Sequence, residues 1–264
     1  MPLWAYNMSP LQLAIVMVAT IEAISLLALF LARRFLIPRL HFHDGVNDAI
    51  SGTVQAIGVF YGITVGLIAV GVWNTHSNAE DVVSKEAAAI GALYRGVSGY
   101  PSPVREQLQS DLKNYTTALI DEIWPAQQQG RAVDIGVQMM DHFQDTLYAY
   151  EPATPGQVAL HNETLRVYNV LIGYRRLRID AVEGTLSTVM WAVIWVGAVI
   201  SIGVAYLYRI EDGRLHAILI ALMAGFLGIV LFMIVINDRP FVGKNSIQPN
   251  SYRVILHHLI GASR

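Results

Sequence analysis

The sequence predicts an all-α membrane protein: four transmembrane helices, with a helical extramembrane insert between the second and third. Two observations carry this. Of 264 residues, 54% are hydrophobic and only 14% charged, against about a quarter charged in an average soluble domain, and mean hydropathy is +0.43. That apolar excess also lies in four long blocks rather than being spread along the chain. Each block is long enough to cross roughly 30 Å of hydrocarbon as a helix rising about 1.5 Å per residue.

The first span covers about residues 11–32 and ends at Arg33-Arg34. No small-residue cleavage site follows it, so it is expected to remain as a span rather than a removed leader. The second covers about 53–73, the third 186–208 and the fourth 215–236. Trp4, Tyr6, Trp73, Trp191, Trp195, Tyr206 and Tyr208 lie where membrane interfaces are expected.

Residues 74–185 form the insert. It holds nine Lys/Arg against fourteen Asp/Glu, a net charge of −5, while the rest of the chain carries +3. Its periodicity is helical throughout. Val83, Glu86-Ala87, Ile90, Leu93-Tyr94 and Val97 continue the second span outward until Gly99, Pro101 and Pro103. Val104 to Ile123 gives the next amphipathic helix, expected to stop at Pro125. Ile135 to Leu147 gives a third, and a fourth carries Leu165, Tyr168, Ile172, Ile179 and Val182 towards the third span. Residues 237–264 read as a C-terminal tail. The even span count puts both termini and the insert on one side. The arginines of the first loop and those of the insert and tail argue for opposite orientations.

Several functions are excluded or unsupported. Without cysteine there are no disulfides, thiolate metal sites or cysteine nucleophiles. A net charge of −2 gives no global field for nucleic acid. G-x-S-x-G, G-x-x-x-x-G-K and H-E-x-x-H are missing, so nothing nominates an enzyme, and no cofactor is expected. His41-x-His43-Asp44 is too short a set to assign a metal. The acidic pairs Glu80-Asp81, Asp121-Glu122 and Glu211-Asp212 point different ways on a helix and read as solvated faces.

Glu22 is the informative residue. It lies mid-span, where an acid costs about 2.5–3.5 kcal/mol on insertion scales, and no span carries a Lys or Arg to pair with it. It is either an ion-pathway residue or a Glu bonded to Thr20, Ser25, Gln55 or Thr64. An ionised Glu22 facing a pore would favour cations. Small residues recur at four-residue spacing in the second span (Gly58, Gly62, Gly66) and in the third (Gly197, Ser201, Ala205), and the fourth adds Ala221, Gly225 and Gly228 at spacings of four and three. Such faces allow close helix packing within a subunit, between subunits, or around a pore. Gln55 and Tyr61 share the second span with its glycines and complete the list of pathway candidates.

Several motifs resemble the bestrophin-like domain family of bacterial integral membrane proteins. They are the stretch from Tyr61 to Arg95 with Trp73, Ala79, Glu86 and Ala87, then Glu122-Ile123-Trp124-Pro125, Arg175-Arg176-Leu177, and Asp238-Arg239-Pro240-Phe241-Val242-Gly243. The resemblance covers about residues 47–250. It implies a distant similarity to bestrophins, pentameric ion channels with four membrane helices per subunit and a helical cytosolic region. In those the second span lines the pore and continues into the cytosol. Animal bestrophins are calcium-activated and pass anions, whereas bacterial relatives can pass cations. This chain departs from them in lacking an acidic cluster after the fourth span, Asp238 being the only acid from there to Arg264. The small residues Gly58, Gly62 and Gly66 dominate the second span, and no triplet of large apolar residues on one face is expected to form a neck.

The expectation is therefore an oligomeric, cation-permeable channel of the bacterial cytoplasmic membrane, with the insert cytoplasmic by analogy, the lipid bilayer and small ions as partners, and further copies of the chain as homo-oligomer partners. The alternatives are a non-conducting membrane protein whose insert binds a partner or senses a signal, and a small ion- or proton-coupled transporter. Glu86 and Arg95, nine residues apart, are expected to pair with other helices of the insert, such as the one carrying Arg175-Arg176. Asp238 and Arg239 are expected to act as a structural clamp where the fourth span ends.

Overall fold

The computed structural model describes residues 6–40, 45–131 and 133–261. The His41-x-His43-Asp44 segment and Trp4 lie outside the described residues. Helix α1, Pro10–Leu31, starts where Ser9 accepts from the Gln12 backbone and Gln12 returns the bond, with Pro10 in the first turn where its missing N–H costs nothing. A wider turn, Ala32–Leu36, and a tight turn, Ile37–Arg39, follow it.

Helix α2, Val46–Val97, runs unbroken for 52 residues. No proline falls between Pro38 and Pro101, so nothing interrupts its hydrogen-bond ladder. At about 1.5 Å per residue it is about 78 Å long, far more than a bilayer core needs.

Four more helices precede the third span. Helix α3 is Val104–Ala118, joined through a wide turn at Leu119–Ile123 to the short α4, Trp124–Gln128. Here the sequence expectation is corrected. Pro125 does not stop the chain, because it falls in the first turn of α4. The stop comes at Gly130, whose φ of +70° lets the Arg131 N–H turn back to the Ala126 carbonyl at 2.9 Å. Helix α5 is Ile135–Tyr148. Helix α6, Pro155–Glu183, begins on a capping box of Thr154 and Gln157. Residues 184–187 break the helix before α7, Thr188–Ala205, which Ser187 caps. Helix α8, Gly213–Asn237, is capped by Asp212, and α9, Asn250–Gly261, closes the order. No strand occurs among the described residues. Among the described residues, four helices are long and apolar enough to cross a membrane: α1 with its following turns, α2, α7 and α8.

The chain forms two compact units, Met1–Thr75 with Thr185–Asp238, and His76–Gly184 with Arg239–Arg264. The second unit takes in the tail, which is part of a folded body rather than an appendage. Its core joins Ile90, Leu93, Leu108, Leu112, Phe143, Leu171, Phe241 and Tyr252. The first unit buries Leu13 and Met17 of α1 with Val65, Ala69 and Val72 of α2, Ile194 of α7 and Leu231, Ile234 and Val235 of α8.

Glycines on α7 and α8 set the close contacts of the first unit. The Tyr61 ring fills the space beside Gly197, and its hydroxyl donates to the Ile194 carbonyl at 3.0 Å. A Cβ on Gly225 would stand 2.6 Å from Glu22 Oε1, and one on Gly228 would stand 3.1 Å from Val18. Gly203 of α7 faces open space. The expected outcome is that Gly197→Val lowers thermal stability of the detergent-solubilised protein by about 1–3 kcal/mol through overpacking against Tyr61. Gly203→Ala should leave it within about 0.5 kcal/mol of the original.

Candidate functional site

Two arrangements stand out, one in each unit. In the second, Glu86 of α2 and Arg178 of α6 form an ion pair that is 0% and 1% exposed. Arg178 Nε donates to Glu86 Oε2 at 2.6 Å and Nη2 donates to Oε1 at 3.3 Å. Tyr115 of α3 donates to Oε1 at 3.2 Å, and Tyr252 of α9 donates to Oε2 at 2.9 Å. Arg178 Nη1 donates to Gln127 Oε1 of α4 at 2.9 Å. The guanidinium lies 5.9 Å from the centre of the Trp124 ring, within cation–π range. Buried charge is tolerable only when paired and hydrogen-bonded, and here both carboxylate oxygens are satisfied. Burial opposes the Arg178 charge, but the Glu86 carboxylate together with the Tyr252 and Tyr115 phenols holds the guanidinium above its ordinary range. Burial first, and then the same carboxylate, push the Tyr115 and Tyr252 phenols well above theirs.

Trp124 extends the cluster into the tail. Its indole N–H donates to the Ile247 carbonyl at 3.1 Å, and its ring meets Phe241 and Tyr252 edge-on. Gly243, at φ +83°, donates its N–H to the Gln128 carbonyl at 3.1 Å. Pro240, Phe241 and Gly243 are buried, as are Ala79 and Ala87 on α2. These family-motif residues thus share one core. The cluster is closed to solvent, so its chemistry is to lock helices, not to meet a ligand. Arg95, Glu122, Pro125 and Arg176 are exposed and take no part in it. The partner of Glu86 is Arg178, two residues beyond Arg176. In the first unit Asp238 is buried, and its Oδ1 accepts from the Leu186 N–H at 2.7 Å, tying the end of α8 to the approach to α7.

The second arrangement is the exposed side of α2 in the first unit. Gly58, Gly62 and Gly66 have nothing within 4 Å of where a Cβ would stand. Gln55 and Trp73 are exposed near the same line. Beside it, against the expectation that no large apolar triplet shares a face of this span, runs the row Ile63, Leu67 and Val70, exposed by 58, 69 and 55%. Their spacing of four and three places them on one helix face. Tyr61 is not on that face, being packed against α7. Glu22 is half-buried on α1, with its carboxylate against Gly225 of α8. The Thr64 hydroxyl engages elsewhere, donating to the Phe60 carbonyl, and the main-chain carbonyl of Ser25 accepts from Tyr206.

A polar cavity of about 620 Å³ lies in the second unit, lined by His76, Glu80, Asp81 and Ser84 of α2 and by Asn245 and Ser251 of the tail. Among the described residues no group of three or more His, Asp or Glu is placed to hold a metal ion.

The family model for the Bestrophin-like domain matches residues 19–252. Variants of a bacterial bestrophin homologue from Klebsiella pneumoniae share the fold. One superposes with a TM-score of 0.66 at 10% identity, covering 95% of this chain and 98% of that one. Another gives 0.64 at 11% identity, covering 97% and 98%. A crystal structure of a membrane protein variant gives 0.65 at 10%, covering 94% and 97%. No curated protein matches in sequence.

Two outcomes test the buried cluster. Glu86→Gln leaves Arg178 buried without its counter-charge and should cost about 3–5 kcal/mol in denaturant unfolding. Glu86→Gln with Arg178→Met should recover part of that loss. The phenols give a pH signature. Their folded-state pKa values lie above the unfolded value of about 10, so the folded state holds more protons once pH exceeds that value. Stability is then full below about pH 10 and falls as pH rises further. Absorbance titration at 295 nm should show Tyr115 and Tyr252 ionising only with unfolding, and Phe variants should remove that part of the signal.

Proposed function

Because the chain belongs to the Bestrophin-like domain family, we propose that it is one subunit of an oligomeric ion channel in the bacterial cytoplasmic membrane, with α2 lining the pathway. The observation that carries this reading is the face of α2 that its own unit leaves uncovered. Val65, Ala69 and Val72 turn into the unit's core. Gln55, Gly58, Gly62 and Gly66, with Ile63, Leu67 and Val70 beside them, have no neighbour among the described residues of the protomer to bury them. A closed ring of copies gives such a face both a subunit contact and an axis. Five copies follow from the resemblance to bestrophins.

In this arrangement the glycines let neighbouring backbones approach, and Ile63, Leu67 and Val70 form an apolar constriction of the kind that gates by dewetting. Glu22 stands one helix away and adds negative potential that favours cations. Tyr61 acts as a spacer between α2 and α7.

The test is current across a planar bilayer holding the purified protein in asymmetric KCl. A reversal potential near the potassium limit that moves towards zero in Glu22→Gln is expected. Leu67→Asn, which makes the constriction wettable, should raise open probability severalfold. A potential near the chloride limit would retain the channel and remove the role given to Glu22. Absence of current from a folded oligomer across several voltages and pH values would overturn the proposal, leaving the insert as a partner-binding or sensing module.

A further inference from the structure

The end of the first unit where α1 finishes and α7 turns into α8 gathers Arg33, Arg34, Arg209 and Arg214. Arg33 is half-buried there. Its Nη1 donates to the Ile210 carbonyl at 3.0 Å and lies 3.2 Å from His216 Nδ1, and Nη2 donates to the Glu211 carbonyl at 3.2 Å. All of these acceptors are neutral, His216 accepting at Nδ1 only as the neutral imidazole, so the guanidinium is held in place but not neutralised. Arg209 stands on the same rim; its backbone bonds Asn47, and its side chain has no hydrogen bond among the described residues. Arg34 lies over the Phe35 ring, 5.8 Å from its centre, and Arg214 follows on α8. None of these four arginines forms an ion pair with a carboxylate among the described residues. Of the acids beside them in the chain, Asp212 caps α8 through the Arg214 N–H at 2.8 Å, and the Glu211 side chain is exposed and bonds none of them.

Between Arg33 and Arg209 lies an open cavity of about 130 Å³, walled by Ile37, Tyr208, Ile210 and Glu211. The guanidinium lies against Gly213, where a Cβ would stand in ordinary contact, 3.5 Å from Arg33 Cζ and Nη2 and 3.8 Å from Nε. Nε and the second hydrogen of Nη2 have no acceptor among the described residues, leaving a fork of the kind that takes phosphate oxygens. Phe35, Leu36 and Leu40 are exposed on the adjoining turns. A cationic cavity at the end of membrane-spanning helices, beside exposed apolar side chains, matches a molecule with an anionic head and apolar tails.

We propose that this cavity is a binding site for the phosphate of an anionic phospholipid, with Arg33 and Arg209 clasping the headgroup and Phe35 and Leu36 against its acyl chains. The site is independent of whether the protein conducts.

The test uses the full-length oligomer in neutral detergent. Dioctanoyl phosphatidylglycerol, dioctanoyl phosphatidylcholine and inorganic phosphate are titrated separately, and binding is read by native mass spectrometry and thermal midpoint. The wild type should bind phosphatidylglycerol about tenfold more tightly than phosphatidylcholine. Arg33→Gln with Arg209→Gln should lose most of that preference, and Arg105→Gln in the second unit should keep it. Arg209→Gln alone, which removes no side-chain hydrogen bond, gives the reading if loss of Arg33 prevents folding, and should reduce the preference severalfold. An undiminished preference in these variants overturns the site. Displacement of the lipid by millimolar inorganic phosphate makes it a free-phosphate site and overturns the lipid assignment.

Discussion

The second unit depends on one buried ion pair. Glu86 and Arg178 are charged groups removed from water, and each alone would be strongly destabilising in that place. They are tolerated because Tyr115, Tyr252 and Gln127 complete their hydrogen bonds. That requirement fixes geometry. Five elements, α2, α3, α4, α6 and α9, must each bring one side chain to the same point. An apolar core of the same size would admit sliding of α6 along α2, whereas a bidentate guanidinium–carboxylate pair has one register. Trp124 then transmits the register to the tail through the Ile247 carbonyl and the rings of Phe241 and Tyr252.

How much of this was legible follows from helical phase. Glu86 falls on the same stripe as Val83, Ile90, Leu93 and Val97, so an acid among core positions announces a partner. The partner was harder to find. The buried stripe of α6 runs through Thr164, Tyr168, Leu171 and Arg178, whereas the apolar residues Leu165, Ile172 and Ile179 suggest a stripe one residue later. With that phase Arg175-Arg176 looks like the inward pair. Counting seven from Leu171 would have reached Arg178. Gln127 left no such trace, because α4 has only five residues and a polar side chain in a short element has no periodicity to test. The four spans were readable because an apolar run of about twenty residues matches the bilayer core in length and exceeds what a globular core buries along one helix. Pro125 misled because proline breaks a helix interior but suits a first turn.

The glycine-rich faces show what composition hides and coordinates separate. By spacing alone, the small-residue rows of the second, third and fourth spans are equivalent. In the structure Gly197 receives the Tyr61 ring, Gly225 receives the Glu22 carboxylate and Gly228 receives Val18. Those glycines are consumed by packing within one protomer. Gly58, Gly62 and Gly66 receive nothing. Glycine in a helix interior costs about 1 kcal/mol relative to alanine, and three along one exposed line bring no compensating contact inside the protomer. The compensation has to come from outside it, and lipid tails gain little from a missing side chain, whereas a second helix gains close approach. On the proposed reading of the chain as one subunit of an oligomer, the uncovered line on α2 would meet another copy of the chain, where close approach of helices compensates for the glycines.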